Sequence, residues 1–173
     1  MKPEFKFCPL CSSVLSKKRI DFKERPYCKE CGWINYDNPL PVTVSIAINA
    51  NNEVLITRRN LEPGLGEWAF PGGFIEVGET AWESCLRELK EETGVEGIVE
   101  ELLGVYIQKT EEYGDLIVLG YRVKALSSDI IINDEVKEAK FIGWAELPNI
   151  PFSTHREMAK SFLKKTDEYQ GTL

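Results

Sequence analysis

Residues 73–95 read GFIEVGETAWESCLRELKEETGV, and this stretch decides how the rest is read. The run from Thr80 to Thr93 predicts a helix of about 13 residues. Thr80, followed three residues later by Glu83, makes a capping box in which each side chain satisfies a backbone N–H of the other residue. Gly94 comes after the last helical residue and suits the left-handed conformation of a C-terminal cap. Projected at about 100° per residue, Trp82, Cys85, Leu86 and Leu89 form an apolar face for a core. Glu88, Glu91 and Glu92 gather on the other side, because positions i, i+3 and i+4 are neighbours. Such like charges cost several tenths of a kcal/mol per close pair, and the helix macrodipole disfavours anions near a C-terminus. A divalent cation such as Mg²⁺ or Mn²⁺ reverses both effects, since hard carboxylate oxygens are its preferred ligands. The alternative is a solvated acidic face partly neutralised by Arg87 and Lys90.

Around this helix lies an ordinary globular chain. Of its 173 residues 43% are hydrophobic and 28% charged, which excludes a mostly disordered protein. Lys plus Arg is 21 and Asp plus Glu is 28, a net charge of −7 that argues against a nucleic-acid backbone or an anionic membrane surface as partner. No apolar run approaches the roughly 18 residues of a membrane-spanning helix. The opening Met1-Lys2-Pro3-Glu4-Phe5-Lys6 lacks the apolar stretch of a secretory signal, so a soluble cytoplasmic protein is expected.

Four of the five cysteines form two CxxC pairs, Cys8 with Cys11 and Cys28 with Cys31, separated by 16 residues. Two tight turns facing each other can complete a tetrahedral S₄ site, and zinc suits it as a soft, redox-silent ion. With four protein ligands no position is left for water, so the expected role is structural. Two disulfides are the alternative, and a nucleic-acid-binding ribbon using Lys17, Lys18, Arg19 and Lys23 is another, diluted by Asp21 and Glu24. Cys85 reads as a small core residue.

Pro39 and Pro41 mark a boundary, with a small zinc ribbon over 1–36 and a larger domain over 37–173. Strands are expected over Val42–Ala50 and Glu53–Thr57 around an Asn51-Asn52 turn, then over Ile98–Gln108 and Asp115–Ala125 around a Thr110–Gly114 turn, and over Lys140–Trp144. Residues 60–73 read as a Gly/Pro-rich loop holding Trp68 and Phe70. Ser153–Lys165 reads as a closing helix with Met158, Phe162 and Leu163 inward. Strands mixed with two helices imply an α/β or α+β layered fold.

Gly73, then Glu79, then Arg87-Glu88-Leu89, Glu91-Glu92 and Gly94-Val95 fill nine defined positions across 23 residues, a pattern that resembles the Nudix hydrolase box throughout. Trp68-Ala69-Phe70-Pro71-Gly72-Gly73 resembles the family's lead-in, and Glu138 to Trp144 followed by Glu146-Leu147-Pro148 extends the similarity beyond the box. The resemblance implies an α/β/α sandwich with a mixed β-sheet, preceded by the ribbon. It implies hydrolysis of a nucleoside diphosphate linked to another moiety, with Mg²⁺ or Mn²⁺. By position Glu88, Glu91 and Glu92 match metal ligands, Arg87 the arginine that orients them, Glu79 the earlier box glutamate and Gly73 the metal-site loop. Glu135 best matches a further family acid, as ligand or general base, with Glu112 as competitor. Arg58 and Arg59 are candidates for binding phosphate, and Trp68, Tyr106, Tyr113, Tyr121 and Phe152 for stacking on adenine, with core packing as the alternative for each aromatic. His155 reads as an exposed residue.

For the substrate, zinc ribbon plus box resembles the NADH pyrophosphatase group and its relatives acting on ADP-ribose or FAD. The NADH group carries Ser-Gln-Pro-Trp-Pro-Phe after the box, whereas Leu103 to Tyr113 here holds Gln108 and no such run. ADP-ribose or a similar ADP-linked sugar therefore ranks first, FAD second and NADH third. Related enzymes often pair, which makes a homodimer one expectation. The competing functions are a zinc-ribbon regulator without catalysis and a hydrolase of nucleoside triphosphates.

Overall fold

A computed structural model describes residues 5–170, with side chains described through residue 165; the Met1–Glu4 part of the leader reading lies outside the described residues. Two compact units form, Met1–Pro39 with Lys109–Asp115, and Leu40–Gln108 with Leu116–Leu173.

In the first unit β1 (Ser16–Ile20) and β2 (Lys23–Tyr27) pair antiparallel, with Ser16 opposite Tyr27. Each CxxC pair closes a matching turn. Cys8 N–H donates to Ser13 O at 2.8 Å and Ser12 N–H to Cys8 O at 2.8 Å. Cys28 N–H donates to Trp33 O at 2.8 Å and Gly32 N–H to Cys28 O at 3.0 Å. The residue after the second cysteine is left-handed in both, Ser12 at φ 61° and Gly32 at φ 80°.

The second unit is a mixed sheet between two helices, as expected. Its strands are β3 (Leu40–Ile48), β4 (Val54–Arg59), β5 (Trp68–Ala69), β6 (Gly72–Phe74), β7 (Gly97–Thr110), β8 (Gly114–Ala125) and β9 (Val136–Ile142); the tips of β7 and β8 belong to the first unit. The sheet runs β5-β4-β3-β8-β7, with β6 also on β3 and β9 on β4. β3 and β8 are parallel from Leu40 opposite Leu116 to Ile48 opposite Lys124, while β4, β6 and β9 pair antiparallel. The helices are α1 (Ala81–Thr93) and α2 (Ser153–Gln170).

β3 is buried along most of its length, so alternate residues serve opposite layers. Val42, Val44, Ile46 and Ile48 join Met158, Ala159 and Phe162 of α2 in one core. Ala47 joins Leu55, Tyr121, Val123 and the α1 residues Cys85 and Leu89 in the other. β3 ends earlier than the apolar run suggests, because the Asn49 side chain accepts the N–H groups of Asn51 and Glu53 at 3.0 Å each and starts the turn there. After the turn β3 and β4 pair only at Ile48 and Val54 and then diverge. The expected 60–73 loop fills that gap: Trp68 and Ala69 pair with β4, and Gly72–Phe74 with β3. β9 starts earlier than expected, since Val136 already pairs with Arg59.

The helix α1 has its capping box, and Gly94 caps it at φ 71°. Its inward face is turned from the expected one. Trp82 is 54% exposed, and Ser84 takes the buried place in the first turn, bonded to Phe74 O at 3.3 Å and lying 3.4 Å from Thr43 Oγ1. On α2 Met158 and Phe162 are buried as expected, but Leu163 is 39% exposed. No helix of the described residues is long and apolar enough to cross a membrane.

The corrected face of α1 is testable. Leu89→Ala should cost about 2–5 kcal/mol in urea denaturation, while Trp82→Ala should stay within about 0.5 kcal/mol of wild type.

Candidate active site

The turned face of α1 carries its acids inward. Glu92 is 8% exposed and the Glu88 side chain 14%, whereas the Glu91 side chain is 56% exposed. Opposite them lies the segment caught between β3 and β4. Gly72 N–H donates to Glu92 Oε2 at 3.3 Å. Gly73 stands so close to Glu88 that a Cβ there would meet its carboxylate at 2.4–2.6 Å. Any larger residue would displace the acid, so glycine here is a steric requirement of the carboxylate.

One guanidinium holds the acids in place. Arg87 donates Nε and Nη2 to the two oxygens of Glu79 at 3.0 and 2.7 Å. Its Nη1 donates to Glu88 Oε1 at 2.8 Å and Glu91 Oε2 at 3.0 Å, and Nη2 also donates to Phe74 O at 2.9 Å. The planar fork thereby ties the loop before α1 to two of its turns. Hydrogen bonding from Arg87 pulls the Glu79 carboxyl down to about 2. Glu92 has no such partner. Burial, followed by the charge of Glu88, pushes it up to about 8, and burial also raises Glu88.

These groups line a cleft of about 380 Å³. Gly72, Gly73 and Phe74 come from β6, and Arg87, Glu88, Glu91 and Glu92 from α1. Glu76 comes from the loop between them, Arg59 from the end of β4, and Asn133 and Glu135 from the approach to β9. Glu135 lines the cleft and Glu112 does not. Two asparagines that the sequence reading passed over fix Glu135. Asn133 Oδ1 accepts Glu135 N–H at 3.0 Å, while Asn60 donates its N–H to Glu135 O and its Nδ2 to Asp134 O, each at 2.8 Å. An Asn two residues before an acid is a recognisable turn signal, but the reach of Asn60 across 74 residues is not.

Two expected substrate residues lie elsewhere. Arg58 donates Nε to Gly66 O at 2.9 Å, and its Nη1 lies 3.9 Å from Glu138. Trp68 packs against the α2-side core with the Lys140 ammonium 4.6 Å from its ring centroid. As neighbours along β4 the two arginines point to opposite faces of the sheet. Arg59 therefore faces the cleft. Its Nε donates to Pro63 O at 2.8 Å, and its terminal nitrogens have no partner among the described residues. His155, expected on the surface, accepts Phe70 N–H at Nδ1 over 3.1 Å; burial, then the Arg59 charge, pushes it down to about 3.

Two donor sets suit cations. The carboxylates of the cleft are hard oxygen donors, and in two of them, Glu88 and Glu92, burial first and neighbouring acids second raise the affinity for a proton that a cation could replace. In the first unit the sulfurs of Cys8, Cys11, Cys28 and Cys31 all lie within 4.8 Å of one another, and all four are free thiols. Tetrahedral zinc with bonds of about 2.3 Å places its sulfurs about 3.8 Å apart, so the cluster is compatible with a zinc ribbon.

The NUDIX domain profile matches residues 39–165. An ADP-ribose pyrophosphatase of Methanocaldococcus jannaschii is 35% identical over 124 residues, covering 71% of this chain and 73% of that protein. The NAD-capped RNA hydrolase NudC of Pseudomonas aeruginosa is 26% identical over 84% of this chain and 50% of its own length, so the chain spans about half of that relative. The crystal structure of a NUDIX hydrolase from Nitrosomonas europaea superposes with a TM-score of 0.83 at 27% identity, covering 95% of this chain and 93% of that one. With the box helix, its Arg87-held acids and the sheet all in place, the chain belongs to the Nudix hydrolase family.

Proposed function

We propose that the protein hydrolyses the pyrophosphate bond of a nucleoside diphosphate linked to a second moiety, with ADP-ribose or a similar ADP-linked sugar first and FAD or NADH next, releasing AMP. The observation that carries this reading is the convergence of Glu88, Glu91 and Glu92 with Glu135, from a separate segment, in one cleft that also presents Arg59. The ADP-ribose pyrophosphatase at 35% identity supports ADP-ribose as the first choice. Residues 1–36 serve as a structural zinc ribbon and 37–173 as the hydrolase domain.

Glu88, Glu91, Glu92 and Glu135 would hold Mg²⁺ or Mn²⁺, which would offset the charge of the diphosphate and lower the pKa of a water. Arg87 keeps the carboxylates from spreading apart. Glu135, held by Asn60 and Asn133, is placed to take the proton from an attacking water, and the terminal nitrogens of Arg59 donate to a phosphate oxygen.

Glu92→Gln should lower kcat by about a hundredfold or more with the fold intact, since the loss of a ligand removes several kcal/mol of transition-state stabilisation. Gly73→Ala, which forces Glu88 aside, should weaken Mn²⁺ binding and lower kcat by about tenfold, a loss of about 1.4 kcal/mol. Product analysis on ADP-ribose, FAD, NADH and dGTP checks the reaction, because AMP release fits linked diphosphates and pyrophosphate release fits triphosphates.

The raised Glu92 carboxyl contributes to the pH dependence of the metal-free protein. A folded-state value of about 8 against an ordinary 4.5 stabilises the protein below 4.5, and that stability is lost as pH rises through 8. A divalent ion binds the ionised form, so the Tm rise on adding Mn²⁺ should grow between about pH 6 and 8. Glu92→Gln should flatten that growth.

Cys8→Ser combined with Cys28→Ser should abolish zinc binding and unfold residues 1–35, because structural zinc supplies folding energy at small sites. Unchanged hydrogen-exchange protection of those residues in the double variant contradicts the ribbon assignment.

A further inference from the structure

The chain has a single histidine, and the hydrolytic scheme does not use it. His155 sits in the first turn of α2 with its imidazole parallel to the Phe70 ring, at 8° and 5.7 Å between centroids. The Phe152 ring lies 5.2 Å from it on a tilt of 40°. Nδ1 accepts the Phe70 N–H at 3.1 Å, which places the imidazole proton on Nε2. Burial, the neighbouring Arg59 charge and the start of a helix all oppose a second proton.

The donor is what gives this contact meaning. Phe70 is 2% exposed and lies where the chain crosses from one strand to another. β5 ends at Ala69 on β4, and β6 begins at Gly72 on β3, so neither ladder takes the Phe70 N–H. A buried N–H without an acceptor is costly, and here the imidazole is its acceptor. The next residue, Pro71, is held by Ser45, whose N–H and Oγ both donate to its carbonyl, at 2.8 and 3.2 Å. The residues after that, Gly72 and Gly73, meet Glu92 and Glu88.

We propose that His155 is a positioning residue: by accepting the Phe70 N–H and stacking on its ring, it sets where Gly72 and Gly73 stand against Glu92 and Glu88. The closing helix therefore acts on the carboxylate cluster through the crossing strand without touching the substrate. This inference rests on the reading of the cleft as the hydrolytic centre.

Two variants separate the acceptor from the bulk. His155→Asn keeps an acceptor oxygen close to the place of Nδ1, and His155→Leu keeps apolar bulk alone. With ADP-ribose and Mg²⁺, His155→Leu should lose at least tenfold in kcat with KM within threefold of wild type, and should bind Mn²⁺ more weakly by paramagnetic resonance. His155→Asn should recover most of both. Equal losses in the two variants, or His155→Leu within threefold of wild type in kcat and Mn²⁺ affinity, overturn the proposal. If wild type hydrolyses no diphosphate, the hydrolytic reading falls, and the Mn²⁺ affinities of the two variants still decide the positioning role. Should neither variant fold, ¹⁵N spectra of the wild-type imidazole and the Phe70 amide replace them. Both signals should shift when Mg²⁺ is added, and unmoved signals overturn the proposal.

Discussion

The carboxylates of Glu79, Glu88 and Glu91 gather around one guanidinium of the box helix, and each close pair of like charges among them costs several tenths of a kcal/mol unless a cation intervenes. Arg87 is the cation the chain itself supplies. Its fork binds both oxygens of Glu79, then Glu88, Glu91 and the Phe74 carbonyl, so it joins the loop before α1 to the helix and to the end of β6. Glu79, which Arg87 grips with two bonds, holds its proton weakly, while Glu92, which Arg87 does not reach, holds its proton tightly because it is buried and, second, because Glu88 lies near it. The negative charge that appears when these buried acids ionise is what a divalent cation would balance.

The backbone has to approach these acids closely, and its route is set by the sheet. A hairpin that stayed paired along its length would leave no room for the box lead-in. β3 and β4 part after Val54, and the separate pairs that Trp68–Ala69 and Gly72–Phe74 make with them seat the crossing residues in the gap. Gly72 and Gly73 then lie against the carboxylates with no side chain between. The crossing leaves amide groups outside both ladders, and side chains from distant elements satisfy the carbonyl of Pro71 and the N–H of Phe70. Order in the cleft is thus shared between α1, which bears the acids, and α2, which steadies the strand facing them.

The sequence alone determined a good deal. Local chemistry sets the ends of α1, through Thr80 and Glu83 at one end and Gly94 at the other, and these depend on residues within a few positions of each other. The spacing of Glu88, Glu91 and Glu92 determines that they share one side of the helix, because helical geometry is the same in any surroundings. The β-branched, apolar run of β3 and the paired CxxC turns are equally local. Tertiary structure decided the rest, since each remaining question depends on residues far apart in the chain. Periodicity shows that a helix has two sides but not how it rolls onto the sheet, so Trp82 went outward and Ser84 inward once the acids turned toward β6. Strand alternation puts Arg58 and Arg59 on opposite faces, but which of those faces bears the cleft depended on how α1 and the crossing residues pack on the sheet. The half-buried placement of His155 depended on a donor 85 residues away, which no local pattern encodes.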